Sequence, residues 1–320
     1  MQAIVVEKRG GPEVLRWTEV PDPVPGVGEV IVDVAAAGVN FIDTYQRSGV
    51  YDRPLPFTPG LEVAGTIAAI GSGVDGFEVG DRVVTVRAEG GYAQRTLVSV
   101  DAVLNVPDTV GLERAAAVAL QGFTAHYLVT DTFPLQPGHR CLIHAGAGGV
   151  GGLLVQMAKM RGAEVFTTVG SPDKAEVARA AGADHVIEYR TVDFAEAVRD
   201  IIGDAGLDVV YDGVGKRTFD AGLGLLRPRG MFVLFGGASG QVPPFDLQRL
   251  NSGGSLYVTR PSLFHYMQEG DGQRRADDVF GWIAEGSLDV RIGAEFATAD
   301  AAKAHIALES RATTGKVLLR

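Results

Sequence analysis

Cysteine is almost absent from this sequence, and that absence excludes a good deal. The single Cys141 rules out an intramolecular disulfide and any metal site built from several cysteines. It stands in an apolar run, which predicts a buried, inert thiol rather than a nucleophile. Histidine is scarce too: six are scattered along the chain, none at the His-x₃-His spacing of a helical metal site. Positive charge is outnumbered, 29 Lys and Arg against 39 Asp and Glu. The resulting net charge of −10 speaks against nucleic acid or an anionic membrane as partner. Long apolar runs are missing, none approaching the ~20 residues of a membrane span. The opening MQAIVVEKRGGPEVL carries neither the basic region nor the apolar core of a secretion signal. A cytoplasmic protein without membrane insertion is the expectation.

What is present is a globular composition, 46% apolar and 21% charged over 320 residues. That length predicts one large domain or two of ordinary size. The most informative stretch is 137–174. An apolar run at 141–145 suits a buried parallel strand. Gly146, Gly148, Gly149, Gly151 and Gly152 follow, and Val150, Leu153, Leu154, Met157 and Ala158 then recur at the spacing of one helix face. A second strand is expected over 164–169, completing a βαβ unit.

Gly146-Ala147-Gly148-Gly149-Val150-Gly151 satisfies G-x-G-x-x-G in the strand–turn–helix setting that the motif requires. Side chains there would keep a pyrophosphate from the backbone N–H groups at the helix N-terminus. A dinucleotide site is therefore expected at Ala147, Gly148, Gly149, Val150 and Gly151. NAD sites usually place an acid about 20 residues beyond the motif. Here the second strand ends in Thr168-Val169-Gly170-Ser171-Pro172-Asp173-Lys174, with no acid at the strand end. Asp173 fits better in the first turn of a helix. Gly170, Ser171 and Lys174 instead suit a 2′-phosphate, which predicts NADPH as the cofactor. Taken alone, Lys174 could equally be a solvated surface lysine.

Residues up to about 120 read as short strands divided by Gly and Pro turns, over 3–7, 29–35, 63–70, 82–86 and 92–98, with a short helix at 42–47. Helices are expected at 112–118 and 123–129. Beyond Lys174 strands and helices alternate as in a doubly wound sheet, with strands at 185–187, 208–211, 231–235 and 255–258 and helices at 172–181, 194–202 and 218–226. About 60 residues remain, too few for a core of their own. Their helices near 276–284 and 300–308 and a strand at 316–319 are expected to pack back on the N-terminal β domain.

With these features in place, the chain resembles the medium-chain dehydrogenase/reductase superfamily, and within it the zinc-independent, zeta-crystallin-like quinone oxidoreductases of bacteria. The residues that carry the resemblance are Ala37-Gly38-Val39-Asn40-Phe41-Ile42-Asp43, Pro59-Gly60-Leu61-Glu62, His144–Gly151, Val210-Tyr211-Asp212, the run 253–263 and Glu309-Ser310-Arg311-Ala312-Thr313. One departure is Gly146, where the family more often has alanine.

The resemblance implies an α/β fold, a Rossmann doubly wound parallel sheet with a GroES-like irregular β-barrel. It implies a discontinuous catalytic domain at 1–123 and 262–320, an NADPH-binding domain at 124–261, and the cofactor in a cleft between them. It also implies hydride transfer to a quinone without metal: Asn40 and Leu61 stand where zinc relatives have cysteine and histidine ligands. Asn40, Tyr45 and Tyr51 are the residues implied to border the nicotinamide. Asn40 could bond a carboxamide, a ribose or an acceptor carbonyl. Tyr51 matches the proton donor of enoyl reductases, while Tyr45 could as well be a helix-face core residue. Further cofactor contacts are implied at Thr124, Tyr127, Tyr189, Gly213, Val214, Phe235, Gly236 and Arg311, although Tyr127 could simply pack between helices and Arg311 lie on the surface. Asp212 reads as a loop-capping carboxylate. A homodimer through the Rossmann domain, with 255–258 as the edge strand, is implied as well. Two other readings stay open: a reductase of activated C=C bonds, and a non-catalytic NADPH-binding protein.

Overall fold

The computed structural model describes every residue except Ala205 and Glu269. The chain divides into two compact units, one formed by Met1–Phe123 with Gly270–Arg320 and the other by Thr124–Glu269.

In the first unit, Glu29–Val39 is the strand on which the others assemble. One neighbour is Glu62–Ile70, antiparallel, with Gly38 opposite Glu62. The other is shared: Arg95–Ser99 covers its first half and Lys316–Leu319 its second, with Val317 opposite Val39. Outward lie Ile292–Phe296 on one side, and Arg82–Thr85 and Leu104–Asn105 on the other. The register shifts twice along the Glu29–Val39 pairing, between Ile31 and Val32 and between Val34 and Ala36, so the sheet bends. Ile4, Val39, Val63, Ala304, Val317 and Leu319 close one apolar cluster over the end at which Asn40 begins the helix Phe41–Ser48.

The second unit is a six-stranded parallel sheet. In spatial order its strands are His185–Glu188, Glu164–Val169, Arg140–His144, Leu207–Asp212, Leu226–Leu234 and Tyr257–Thr259. Numbered within this sheet, that is the order 3-2-1-4-5-6 of a dinucleotide-binding fold, whose strand order reverses beside the first strand. Leu142, Phe166, Val210 and Phe232 form the core of one face, beneath Val198 and Phe219. No helix among the described residues is long and apolar enough to cross a membrane.

Most elements fall within a few residues of their expected bounds, with one clear exception. The two helices expected at 112–118 and 123–129 are a single helix, Leu112–Tyr127, followed by a wide turn over Leu128–Thr132. Gly122 does not interrupt it. A Cβ there would come within 2.5 Å of Val118 and 3.4 Å of Val279, so the glycine admits a neighbouring helix rather than ending its own.

Candidate active site

The turn of the second unit shows why it is built from glycine. After the strand Arg140–His144, Ala145 takes φ 59° in the left-handed region, and the helix Gly149–Met160 starts from Gly148. A Cβ on Gly151 would stand 2.1 Å from the Ala145 carbonyl oxygen, and one on Gly146 would stand 2.1 Å from Thr167 Oγ1. The turn is thus folded tightly onto its own strand and the next one. The first-turn N–H groups of Gly149, Val150 and Gly151 have no carbonyl one turn back to bond, and they carry the positive end of the helix dipole. Ala147 beside them is buried. The arrangement suits the binding of an anion such as a pyrophosphate.

At the carboxyl ends of the neighbouring strands, other expected residues come together. Ser171 begins the helix Pro172–Ala180 and makes no capping bond, so its hydroxyl is not committed to the helix. Gly170 lies against the Tyr189 hydroxyl, which a Cβ would approach to 2.7 Å, and Tyr189 itself is 44% exposed. Lys174 lies one turn along the same helix, half-buried, beside an exposed Asp173. Across the strand-order reversal, Gly213 and Gly236 touch: a Cβ on Gly236 would stand 2.6 Å from the Gly213 carbonyl, and one on Gly213 would meet the Phe235 ring at 3.0 Å. Asp212 is buried and accepts from the N–H groups of Val214 at 2.6 Å and Gly215 at 3.1 Å and from the Thr218 hydroxyl at 2.7 Å. It is the loop-capping carboxylate that the sequence suggested, and it shapes the loop that carries Gly213 and Val214.

In the first unit, Asn40 is 5% exposed and its side chain is held on all sides. Its Nδ2 donates to Glu62 Oε2 at 2.7 Å and to the Gly38 carbonyl at 3.3 Å, while its Oδ1 accepts from Lys316 Nζ at 2.8 Å. Lys316 also donates to Glu62 Oε2, and Glu62 Oε1 accepts the Leu120 N–H at 2.6 Å. Both charges are shut away from solvent, Glu62 at 0% and Lys316 at 1% exposure. Gly38 makes the room, since a Cβ there would stand 2.1 Å from the Glu62 carboxylate and 2.6 Å from Lys316 Cε.

A second chain of bonds starts at the Asn40 backbone N–H, which donates to Asp43 Oδ2 at 2.8 Å. The Tyr92 hydroxyl donates to the same oxygen at 2.9 Å. Tyr92 in turn meets His305 Nε2 at 3.2 Å, and Arg47 meets His305 Nδ1 at 3.0 Å and Glu309 at 2.7 Å. A guanidinium can only donate, so Nδ1 is an acceptor, Nε2 carries the proton, and the bonds run in one direction from Arg47 to Asp43. Burial pushes the Asp43 carboxyl up to about 6 against the bonds from Asn40 and Tyr92 and the charge of Lys316. Burial, helped by the Arg47 charge, pulls His305 down to about 3. Asp43 Oδ1 has no hydrogen-bond partner.

The remaining expected residues are differently placed. Tyr45 and Tyr51 meet edge to face, centroids 5.4 Å apart, with Phe41 beside Tyr45; Tyr51 is 40% exposed. Thr124 is buried, and Tyr127 is 1% exposed and stacked on Tyr266 with ring centroids 4.2 Å apart. Arg311 is exposed just past the helix Ala301–Glu309 and takes φ 59°, a left-handed position where glycine is usual. Sequence reading missed Asp43, Glu62, Tyr92, His305 and Lys316 as one assembly. The only available signal was the occurrence of Asp43 and Glu62 inside motifs already singled out. Among the described residues, no group of three or more His, Cys, Asp or Glu side chains is placed to hold a metal ion.

Comparison with known proteins matches residues 26–132 to the alcohol dehydrogenase GroES-like domain and residues 149–269 to the zinc-binding dehydrogenase family. The chain is 44% identical to a quinone oxidoreductase of Salmonella typhimurium, over 99% of this chain and 98% of that protein. It is 40% identical to a 2-haloacrylate reductase of a Burkholderia species, over 100% of this chain and 98% of the relative. The crystal structure of the Escherichia coli quinone oxidoreductase complexed with NADPH superposes with a TM-score of 0.96 at 42% identity, covering 100% of this chain and 99% of that one.

Proposed function

We propose, on the premise that the chain belongs to the medium-chain dehydrogenase/reductase family and within it to the quinone oxidoreductases, that it reduces quinones with NADPH. The observation that carries this reading is the glycine turn, folded so tightly onto its own strand that a Cβ at Gly151 would stand 2.1 Å from the Ala145 carbonyl oxygen. When bound, NADPH supplies the hydride; together with one proton this converts a quinone to a hydroquinone.

The chain's own residues bind and orient. The amides of Gly149, Val150 and Gly151, beside Ala147 and Gly148, would hold the pyrophosphate. Ser171, Lys174 and Tyr189, around Gly170, would donate to the 2′-phosphate. Gly213 and Gly236 would let backbone approach the ligand, and Val214 and Phe235 would line the groove beside them. Thr124 and Arg311 are proposed as further contacts. Tyr127, covered by Tyr266, would act by packing. Asn40 would orient the cofactor, while Tyr45 and Tyr51 offer aromatic edges suited to a planar acceptor. No metal takes part in this scheme, although one matching family is named for zinc, because Asn40 and Leu61 are poor ligands for it. Turnover unchanged by o-phenanthroline checks that point.

The same proposal includes a homodimer in the cytoplasm. The strand Tyr257–Thr259 ends the parallel sheet, with Tyr257 and Val258 55% and 37% exposed. Such an edge is a liability unless covered, and the same strand of a second copy across a two-fold axis would cover it. Light scattering at twice 33.7 kDa is the expected result.

The 2-haloacrylate reductase relative favours a second reading, reduction of activated C=C bonds with the exposed Tyr51 as proton donor. One experiment tests both. NADPH and NADH oxidation is followed against ortho- and para-quinones, a haloacrylate and an enoyl thioester, with the native protein and Tyr51→Phe. Quinone turnover preferring NADPH and barely altered in Tyr51→Phe supports the first reading. Turnover of the C=C substrates alone, abolished in Tyr51→Phe, replaces it with the second.

A further inference from the structure

Ala145, and none of the glycines at 146–152, carries the left-handed bend of the nucleotide turn, at φ 59°. That region is unfavourable for a residue with a side chain, so the bend must be held from outside. Thr168, near the end of the neighbouring strand Glu164–Val169, holds it twice. Its Oγ1 accepts the Ala145 N–H at 3.3 Å, and its carbonyl accepts the Gly146 N–H at 3.2 Å. The Ala145 carbonyl then accepts the N–H of Gly148 at 2.9 Å, the residue from which the helix Gly149–Met160 starts. The placing of the first-turn amides thus runs through Ala145.

His144 decides what the Thr168 hydroxyl can do. The two residues are register partners on adjacent strands, both buried, with His144 Nδ1 2.9 Å from Thr168 Oγ1. Were Nδ1 the donor, the hydroxyl proton would be left without an acceptor and Nε2 without a donor, two orphans in a dry site. With Nδ1 accepting, the hydroxyl donates to it and its oxygen takes the Ala145 N–H. Only Nε2–H then goes unpaired, on a ring packed perpendicular to Phe194 with centroids 4.9 Å apart. One strand over, Asp212 is spent on its own loop and offers His144 no bond. The bonds therefore run one way, from the Ala145 amide through the Thr168 hydroxyl to His144. Burial lowers the imidazole's pKa against the pull of the Asp212 charge, which keeps Nδ1 free to accept.

We propose that His144 and Thr168 are positioning residues for the nucleotide. The imidazole aims the Thr168 hydroxyl, the hydroxyl holds Ala145 in its left-handed bend, and the bend sets the amides of Gly149, Val150 and Gly151 for the pyrophosphate. The proposal rests on the NADPH reading above, and the pair acts through the turn rather than by touching the ligand.

The experiment measures, by calorimetry on the resting protein, the binding of NADPH and of adenosine 2′-monophosphate, which carries the 2′-phosphate but no pyrophosphate. Circular dichroism confirms folding. Thr168→Val removes the hydroxyl at nearly constant volume and should raise the NADPH Kd about tenfold, the worth of one lost hydrogen bond. His144→Leu, which leaves the hydroxyl without its acceptor, should raise it by a similar factor. The double variant should bind no more weakly than Thr168→Val, within about twofold, because the imidazole acts only through the hydroxyl. His144→Asn, whose side-chain oxygen can stand in for Nδ1, should stay within about threefold of the native affinity. Ala145→Gly added to His144→Leu should recover at least about threefold, since glycine takes the bend with no side chain to resist it. The adenosine 2′-monophosphate Kd should change by less than about twofold throughout.

A native NADPH Kd in Thr168→Val, or losses that multiply in the double variant, would overturn the relay. So would His144→Asn as weak as His144→Leu, or an Ala145→Gly that recovers nothing. Equal losses for the two ligands would mean general damage to the second unit and would overturn the positioning role. Native protein that binds neither ligand would overturn the functional reading first, and this proposal with it.

Discussion

Gly146 has no room for the side chain of alanine, and the structure gives that substitution a measurable cost. An alanine Cβ at 146 would lie 2.1 Å from Thr167 Oγ1, 2.9 Å from its Cβ and 3.0 Å from its Cγ2. Rotating the threonine side chain moves Oγ1 and Cγ2 but leaves its Cβ in place, so rotation cannot clear the contact. Thr167 is fully buried, and its hydroxyl donates to the Ile143 carbonyl at 2.6 Å. The turn must then move away from the second strand. Overpacking of this kind costs about 1–3 kcal/mol, and losing the threonine hydrogen bond adds about 1 kcal/mol. Gly146→Ala should therefore destabilise the second unit by about 2–4 kcal/mol, a large part of the ~5–15 kcal/mol typical of a domain. Thr167→Ala in the same chain should recover at least about 1 kcal/mol, a coupling expected only of residues in contact. Trp17 and Trp282 both lie in the first unit, so tryptophan emission does not report this event; urea unfolding followed by far-UV circular dichroism does. A Gly146→Ala midpoint equal to that of the native protein would refute the reasoning.

The Asp43–His305 chain predicts opposed pH dependences. Asp43, raised to about 6, favours the folded state below its unfolded value of 3.8 and loses that contribution as pH climbs through about 6. His305, lowered to about 3, contributes fully above its unfolded 6.5 and loses its contribution as pH falls toward about 3. Between pH 4 and 6 the two slopes cancel. Relative to native protein, Asp43→Asn should lose up to about 1.4 kcal/mol per pH unit on acidification through that window, and His305→Phe should gain; denaturation midpoints at pH 4, 5, 6 and 7 check the signs. Lys174→Ala should weaken NADPH by about tenfold and leave NADH within twofold, since only NADPH carries the 2′-phosphate proposed to meet the lysine; equal losses would place the lysine elsewhere. Cys141 is buried, and burial pushes its thiol far up, so a disulfide reagent should find no reactive thiol in native protein and one after denaturation.

The second unit was the more legible in sequence because its signals are local. Each strand is a short apolar run, each helix has its own period, and the glycine turn is one contiguous motif. The expected helix 194–202 and strand 164–169 coincide with the observed Phe194–Ile202 and Glu164–Val169. The first unit was less legible because its order comes from distant partners. Arg16–Glu19 carries too few apolar residues to read as a strand, and it and the short Ile292–Phe296 take their place by pairing with Gln2–Val5 and Lys316–Leu319. The helix Leu112–Tyr127 reads as two in sequence, although Gly122 within it admits Val279 and does not end it. The polar assembly around Asn40 was invisible for the same reason. Lys316 lies 254 residues from Glu62, and His305 lies 213 from Tyr92; no spacing rule joins them. Asn40 itself was singled out, but what it can offer a ligand depended on neighbours that the sequence does not place beside it.

The strand Lys316–Leu319 has a consequence for how the molecule is made. Thr124–Glu269 is one continuous segment and can acquire its structure while synthesis continues. The sheet around Glu29–Val39 cannot, because half of one flank stays bare until residue 319 has cleared the ribosome. Through most of translation Glu62 and Asn40 therefore wait in water for a lysine that has not yet been made. The first unit is in this sense the later to mature, and a nascent chain stalled just short of Lys316 would hold a finished nucleotide-binding unit and an open first sheet.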